Sequence, residues 1–248
     1  MRKFFVETSN IFEKTIKITG TDVNHIRNVL RLKPGDKIEV CNSDTSENYI
    51  CEIEEVEKSF VNIKILEKAQ SIAEGNIELD VFQGLPKSDK MELIIQKGTE
   101  LGISRFIPVA FKRSIVKLTG KDETKKIERW QKIAEVAAKQ CHRDLIPKIE
   151  NVKTIKNVCD LINNYDLVLL AYEEENENYI KKELLKIKGT KENLKIAVII
   201  GPEGGIDKAE VDILQDSGAK VISLGRRILR TETVALQVAS IIMYELED

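Results

Sequence analysis

Residues 196–207, Ile-Ala-Val-Ile-Ile-Gly-Pro-Glu-Gly-Gly-Ile-Asp, decide the fold because an apolar run leads directly into a glycine-rich turn. The unbroken apolar run 196–200 indicates a strand that is buried on both faces, and such strands are typical of parallel sheets. After the turn, Asp207 with Glu210 three residues later predicts the capped start of a helix. A strand, a glycine turn and a helix in this order predict an α/β domain.

Similar apolar runs recur through the rest of residues 76–248, with helical patterns between them. Apolar residues at helical spacing occur in 89–102, in 122–141 and from Thr231 to Glu247, and Gly218 predicts the end of the helix that starts at Asp207. This alternation predicts a parallel sheet covered by helices on both faces. The further predicted strands are Leu79–Phe82, Phe106–Val109, Leu167–Leu170 and Lys220–Leu224.

Residues 1–70 have a different pattern, in which short alternating strands surround one helical stretch. Residues 22–31 space their apolar side chains like one helix face, and Asp22 is a possible cap. The pattern predicts a small β-barrel with one helix, followed by a linker over Ala69–Ile77. The predicted barrel strands are Lys14–Thr19, Lys37–Val40, Asn48–Ile53 and Phe60–Ile65.

The composition is that of a folded globular chain. It has 248 residues, of which 42% are hydrophobic and 32% charged, with a formal net charge of -2, so a disordered or collagen-like protein is excluded. No apolar run approaches the roughly 18 residues of a membrane span, and residues 1–7 lack the apolar core of a signal peptide. The four cysteines form no C-x-x-C pair, which favours reduced thiols in a cytoplasmic protein without a metal site.

Positive charge is concentrated in residues 83–143, which hold 14 basic and 7 acidic side chains, a net of +7. Such a stretch can attract a polyanion such as RNA. A lysine-rich, solvated helix face would have the same composition. Charge alone leaves both interpretations open.

The glycine turn 201–205 is the first candidate binding element, since ligands of parallel sheets bind at the carboxyl ends of the strands. It is neither a G-x-G-x-x-G motif nor a P-loop, and Glu203 would repel a phosphate. A nucleoside without phosphates therefore fits better than a dinucleotide. The alternative is a tight turn that binds nothing.

Ser223–Thr233 is the second candidate, because it again leaves a strand, turns at Gly225 and enters a helix. Its arginines are suited to binding phosphates and carbonyl oxygens. A helix cap by Thr231 beside solvated arginines would give the same sequence pattern. A third segment, Gln83–Met91, also follows a strand and carries the basic residues Lys87 and Lys90, each of which is by itself more typical of a solvated surface.

These segments together resemble the RsmE family of bacterial 16S rRNA uridine-N3 methyltransferases, in the SPOUT superfamily of knotted methyltransferases. The chain departs from the family pattern at Arg226, where proline is expected, and at His142, where glycine is expected. The segments that carry the resemblance are His25–Asp36, Gln83–Gly102, Arg129–Ala138 with Gln140 and Arg143, Ile200–Gly205 and Ser223–Thr233.

The resemblance implies a fold, a cofactor and partners. The fold is an N-terminal PUA-like β-barrel in residues 1–70, which binds RNA, and a C-terminal SPOUT α/β methyltransferase domain in 76–248 that ends in a trefoil knot. S-adenosyl-L-methionine is the methyl donor, and no metal is needed. The partners are a second copy of the chain, forming a homodimer with sites at the interface, and the small ribosomal subunit. The target is a uridine in the decoding region of 16S rRNA.

The resemblance also implies roles for individual residues. Arg230 is expected to stabilise the uridine anion, with Lys87 or Lys90 as weaker candidates, and Glu232 either accepts the N3 proton or caps its own helix. The donor is expected to contact Leu170, Ala171, Gly201, Glu203, Gly204, Gly205, Leu224, Gly225, Ile228 and Leu229. RNA phosphates are expected to contact Arg27, Arg31, Lys33, Lys87, Lys90, Arg113 and Arg143.

Three other functions remain open from the sequence. A non-enzymatic RNA-binding protein would explain the basic stretch but not the two glycine turns. A methyltransferase of the same superfamily that acts on another rRNA base or on tRNA would share the donor site. A Rossmann-type nucleotide enzyme is disfavoured because its glycine motif is missing.

Overall fold

Five strands near the amino terminus form one sheet in the computed structural model of the protein, which describes residues 2–71 and 73–247. The sheet order is β1-β3-β4-β5-β2, with β1 and β3 parallel and the other pairs antiparallel. Among the described residues no ladder joins β1 to β2, so the sheet forms a barrel that is open on one side. The strands are β1 (Lys3–Val6), β2 (Thr15–Thr19), β3 (Lys37–Asn42), β4 (Asn48–Val56) and β5 (Phe60–Ala69).

The predicted barrel helix is shorter and less regular than its pattern suggests. Helix α1 (Thr21–Asn24) leads into one π-helical turn at His25–Val29. Gly20, with φ +73°, precedes α1, so Asp22 lies inside the first turn and is not the cap. The Asp22 carboxylate instead accepts hydrogen bonds from Lys139 Nζ at 2.9 and 3.0 Å.

The barrel unit includes a segment that the sequence does not predict to belong to it. Residues up to 74 and residues 139–145 form one compact unit, and the rest of the chain forms the other. Segment 139–145 supplies Asp144, which is 1% exposed and pairs with the buried ammonium of Lys3. Lys3 also lies 2.9 Å from Glu39. A buried lysine needs such partners, which explains why this distant segment packs here. Ile72, within the predicted linker, lies outside the described residues.

The second unit is built on six parallel strands in the order β11-β9-β10-β6-β7-β8. The parallel sheet predicted from residues 196–200 is therefore confirmed. The sequence missed β8, which is only two residues long. The strands are β6 (Ile77–Gly84), β7 (Arg105–Val109), β8 (Lys148–Ile149), β9 (Leu167–Ala171), β10 (Leu194–Ile200) and β11 (Lys220–Ile222).

Helices cover both faces of this sheet. Ile196, Val198 and Ile200 of β10 belong to one buried apolar cluster, and Ala197 and Ile199 belong to the other. The capped start at Asp207 is confirmed, because its carboxylate accepts from the Ala209 backbone N–H. No helix in the described ranges is long and apolar enough to cross a membrane. The helices are α2 (Lys90–Glu100), α3 (Gly120–Gln140), α4 (Ile155–Ile162), α5 (Ile180–Ile187), α6 (Lys208–Asp216) and α7 (Thr231–Leu246).

The packing of α7 brings the chain back to the centre of the sheet. After β11, at one edge, the chain passes through residues 223–230 and enters α7, which packs against α2, β6 and β10. The carboxyl ends of β6, β9, β10 and β11 consequently lie at one edge of the sheet, with the start of α7 beside them. The trefoil knot stays a prediction.

Candidate functional site

A cavity of about 520 Å³ lies at the carboxyl ends of β9, β10 and β11. This volume lies within the range of ordinary small-molecule sites. Three loops form its walls: the glycine turn 201–205 after β10, the arginine-rich turn 223–230 after β11 and the acidic loop 172–179 after β9. Its lining consists of Lys90, Ala171, Tyr172, Glu173, Asn176, Ile200, Gly201, Pro202, Glu203, Gly205, Ile222, Ser223, Leu224, Gly225, Arg226, Arg227, Ile228, Leu229, Arg230, Thr231 and Val234.

The glycine turn requires glycine for steric reasons. Gly205 has φ +70°, and a Cβ there would collide with the carboxylate of Glu173. A Cβ on Gly201 would lie 2.8 Å from Cγ1 of Ile206. The turn closes through a 2.9 Å bond from the Gly205 N–H to the Pro202 carbonyl. The wall of the cavity is therefore main chain, which leaves backbone groups close to any ligand.

A buried polar bridge fixes the start of α7 to this turn. The Thr231 hydroxyl donates to the Gly201 carbonyl at 2.7 Å and accepts from Nε2 of Gln83 at 2.8 Å. Gln83, at 0% exposure, also donates to the Gly84 carbonyl at 2.9 Å. Thr231 makes no cap, because α7 begins after Arg230 without a side-chain cap. Its hydroxyl instead joins the start of α7 to the glycine turn and to the end of β6.

Lys90 links two glutamates at the edge of the cavity. Its Nζ lies 3.0 Å from Glu203 Oε1 and 3.2 Å from Glu232 Oε2. Burial acts to raise the pKa of Glu203, but backbone N–H groups and Lys90 outweigh it and hold that pKa below the ordinary value. The hydrogen bond to Glu203 helps to raise the pKa of Lys90, so both groups are charged at neutral pH. Because two carboxylates balance the positive charge of Lys90, this ammonium attracts a phosphate only weakly.

Another part of the cavity wall is basic. Arg226, Arg227 and Arg230 all line it, after the turn at Gly225, where φ is +118°. Glu232 pairs with Lys90 but does not itself line the cavity. Within residues 2–71 and 73–247, no group of three or more His, Cys, Asp or Glu side chains is arranged to hold a metal ion.

Eight of the ten predicted donor contacts line this cavity. Leu170 does not, because its side chain is fully buried in the apolar core beneath. Gly204 does not, because it faces away toward Arg113, whose carbonyl oxygen would lie 3.2 Å from a Cβ there. The sequence missed Tyr172, Glu173 and Asn176, although the rule that ligands bind after parallel strands applies equally to β9.

Five of the seven predicted RNA contacts are exposed, whereas Lys90 is half-buried against its two glutamates and Arg143 is buried. Arg143 is 5% exposed, and its guanidinium donates to Glu74 at 2.7 Å. Its prediction as a phosphate contact is therefore wrong, because the charge is buried and neutralised. Arg113 is exposed, with NH1 3.4 Å from the Gly204 carbonyl oxygen. Arg27, Arg31, Lys33 and Lys87 are likewise exposed.

Known proteins share both units. The family described as RNA methyltransferase domain matches residues 73–243, and the RNA methyltransferase PUA domain matches residues 18–66. The chain is 39% identical to Ribosomal RNA small subunit methyltransferase E of Bacillus subtilis, over 100% of this chain and 98% of that protein. It is 31% identical to the protein of the same name from Mesomycoplasma hyopneumoniae, over 95% of this chain and 96% of that one.

A solved structure has the same fold. The crystal structure of a ribosomal RNA small subunit methyltransferase E from Neisseria gonorrhoeae, bound to S-adenosyl methionine, matches with a TM-score of 0.87 and 24% identity, over 100% of this chain and 99% of that chain. The PUA-like amino-terminal domain and the α/β methyltransferase domain inferred from the sequence motifs are thereby confirmed. The chain belongs to the ribosomal RNA small subunit methyltransferase E family.

Proposed function

We propose that this protein transfers a methyl group from S-adenosyl-L-methionine to N3 of a uridine in the decoding region of 16S rRNA, on the small ribosomal subunit in the cytoplasm. The observation that carries the proposal is the cavity between two glycine turns, which follow the parallel strands β10 and β11 on either side of β9. Relatives across the full chain are named as small subunit rRNA methyltransferases, which supports the substrate.

The cavity fits this donor in size and in character. Its volume of about 520 Å³ suits a nucleoside with an amino-acid side arm. Gly201 and Gly205 line the cavity without side chains and so form a main-chain cradle for a ligand. Glu203 disfavours phosphates, which the donor lacks. The residues proposed to hold the donor are Ala171, Gly201, Glu203, Gly205, Leu224, Gly225, Ile228 and Leu229.

The chain's own residues have two tasks at the uridine. When bound, S-adenosyl-L-methionine supplies an electrophilic methyl group that needs no further activation. N3 is a weak nucleophile until it loses its proton, so the site must stabilise the uridine anion. Arg230, on the cavity wall, would place its positive charge near O2 or O4. Glu232 would accept the N3 proton directly or through water, with Lys90 holding its carboxylate in place.

RNA and a second copy of the chain complete the proposal. Phosphate contacts position a nucleic acid, while the target base is read in the pocket. We assign those contacts to Arg27, Arg31 and Lys33 in the barrel of residues 1–70, and to Lys87 and Arg113 in the methyltransferase domain of residues 76–248.

The proposed homodimer rests on the family and on the outer face of α7. Val238 and Ile242 of this helix are buried in the protein's own core, so they are unavailable for a subunit contact. Tyr244, on the same helix, is 90% exposed and is a better candidate.

The proposal is tested by mapping the product. Small ribosomal subunits from cells that lack the modification are incubated with the protein and labelled donor, and the modified nucleoside is identified and located. We expect 3-methyluridine in the decoding region. Methylation of another base, or of tRNA alone, would refute the proposed substrate, and absence of donor binding would refute the proposed activity.

The role of Arg230 is tested separately. We expect Arg230→Ala to lower the single-turnover rate by about 100-fold or more, the usual effect of removing a group that stabilises a developing anion. Donor affinity should stay within about twofold. Lys156→Ala, an exposed change on α4, is the control and should alter neither quantity. Wild-type turnover in Arg230→Ala would remove Arg230 from the chemistry.

A further inference from the structure

We propose that Glu173 binds the cationic part of the donor's methionine moiety, its ammonium or its sulfonium, and so orients the donor in the cavity. This inference rests on the proposed function, since it concerns how the same site recognises S-adenosyl-L-methionine. The evidence is the position of one carboxylate, its lack of partners and the positive charge of the arginine-rich turn that lines the same cavity.

Glu173 lies in the loop after β9 and lines the cavity together with Tyr172 and Asn176. Its Oε1 lies so close to Gly205 that a Cβ on that glycine would collide with it. The carboxylate therefore lies directly against the glycine turn that forms the proposed main-chain cradle.

Glu173 differs from the other glutamates around the cavity in being free to bind a cation. Glu203 pairs with Lys90, and Glu175 accepts from the backbone N–H groups of Glu177 and Asn178. By contrast, no hydrogen bond or ion pair joins the Glu173 carboxylate to any residue within 2–71 and 73–247, and the residue is exposed.

The charge of the cavity is distributed unevenly, and so is that of the donor. Arg226, Arg227 and Arg230 lie on the arginine-rich turn after β11, whereas Glu173 lies on the loop after β9. The methionine moiety carries one carboxylate, one ammonium and one sulfonium. Opposite charges attract, so the donor carboxylate is drawn to Arg226 and Arg227 and its cationic groups to Glu173, while Arg230 is left for the uridine. This pairing selects one orientation of the donor.

The test compares two glutamine variants of one loop. Glu173→Gln removes the cavity carboxylate while keeping its shape. Glu177→Gln makes the same change on a side chain that does not line the cavity, and it is the matched control. Both side chains are exposed, so we expect the melting temperatures of the two variants to equal that of the wild type.

Calorimetric titration uses three ligands that differ in charge. S-adenosyl-L-methionine has both cationic groups, S-adenosyl-L-homocysteine has only the ammonium, and 5′-methylthioadenosine has neither. We expect Glu173→Gln to weaken donor binding about tenfold, the effect of losing one charge-assisted bond. Binding of 5′-methylthioadenosine should change less than about twofold, and Glu177→Gln should leave all three affinities unchanged.

Each outcome decides the question. Weaker binding of both S-adenosyl-L-methionine and S-adenosyl-L-homocysteine identifies the ammonium as the partner, and weaker binding of the former alone identifies the sulfonium. Equal loss for all three ligands, or no loss for any, overturns the inference. If Glu173→Gln melts at a lower temperature than the wild type, Glu173→Asp is titrated as well, because aspartate keeps the negative charge. A donor affinity of Glu173→Asp closer to wild type than to Glu173→Gln supports the inference. An equal loss of affinity in both variants overturns it. Failure of the wild-type protein to bind any of the three would instead overturn the proposed function.

Discussion

Replacing Thr231 with valine tests the polar bridge that holds the start of α7 against the cavity. Valine has nearly the same shape as threonine, so no void forms and only the hydroxyl is lost. That hydroxyl makes two hydrogen bonds, a part-buried one to the Gly201 carbonyl at 2.7 Å and a buried one from Gln83 at 2.8 Å. The variant therefore isolates the contribution of these two bonds.

The size of the effect follows from the partners left behind. The Gln83 amide keeps a second acceptor, the Gly84 carbonyl at 2.9 Å, so losing its bond to Thr231 costs little free energy. The Gly201 carbonyl loses the bond from Thr231. One buried hydrogen bond contributes about 1 kcal/mol, and a buried polar group left without a partner costs about 1–3 kcal/mol. We expect the free energy of unfolding to fall by about 2 kcal/mol and the melting temperature by roughly 4–8 °C for a protein of this size.

The assay is thermal and chemical unfolding of three variants, with donor titration of each. Thr231→Ser keeps the hydroxyl and should lose less than half as much stability as Thr231→Val. Thr233→Val makes the same change at an exposed position of α7 and should be nearly neutral. Donor affinity should fall only in Thr231→Val, because Gly201 forms the cavity wall. If Thr231→Val is as stable as the wild type, or Thr231→Ser is worse, the bridge does not fix this helix.

Three further changes test other contacts. Lys3→Met strands the buried carboxylate of Asp144 and should cost about 3 kcal/mol in unfolding free energy, measured in urea. Burial acts to raise the pKa of Asp144, but hydrogen bonds from Lys3 and Ser71 outweigh burial and keep that pKa below its ordinary value. The ionised Asp144 therefore stabilises the fold above about pH 4, and this stabilisation is lost on further acidification. Lys3→Met should lack this acid-induced loss of stability. Gly84→Ala would place its Cβ 2.5 Å from the Pro202 backbone nitrogen and should weaken donor binding in a calorimetric titration; unchanged affinity would show that the strand end can shift. His142 has φ +62°, so His142→Gly should raise the melting temperature, by a small amount because glycine also gives the unfolded chain more freedom; a lower melting temperature would contradict the expected strain.

Local patterns made part of this structure readable from the sequence. The run 196–200 is apolar on both faces, so it could only be a central strand, and its glycine turn marked the cavity. The loop with Glu173 follows β9 in the same way, but acidic loops are common on surfaces and nothing local distinguishes this one. The places that departed from prediction depend on contacts between distant residues. Arg143 lies in the basic stretch and is therefore predicted to contact RNA, but the structure pairs it with Glu74, 69 residues earlier.

The barrel strand β1 shows the same limit. Its four residues begin with a lysine, which argues against a buried strand in any local reading. Burial of Lys3 becomes acceptable only because Asp144, 141 residues later, supplies a carboxylate. Strand-like patterns thus predict the elements, whereas the charges that stabilise them come from elsewhere in the chain.

The return of residues 139–145 to the barrel has a consequence for protein engineering. A fragment cut after residue 74 would retain the lysine of β1 but lose the carboxylate of Asp144 and the Lys139 contact to Asp22. The amino-terminal barrel therefore cannot be transferred alone to another enzyme. The graft would also need the seven residues 139–145 that complete it, either linked to the chain or added as a peptide.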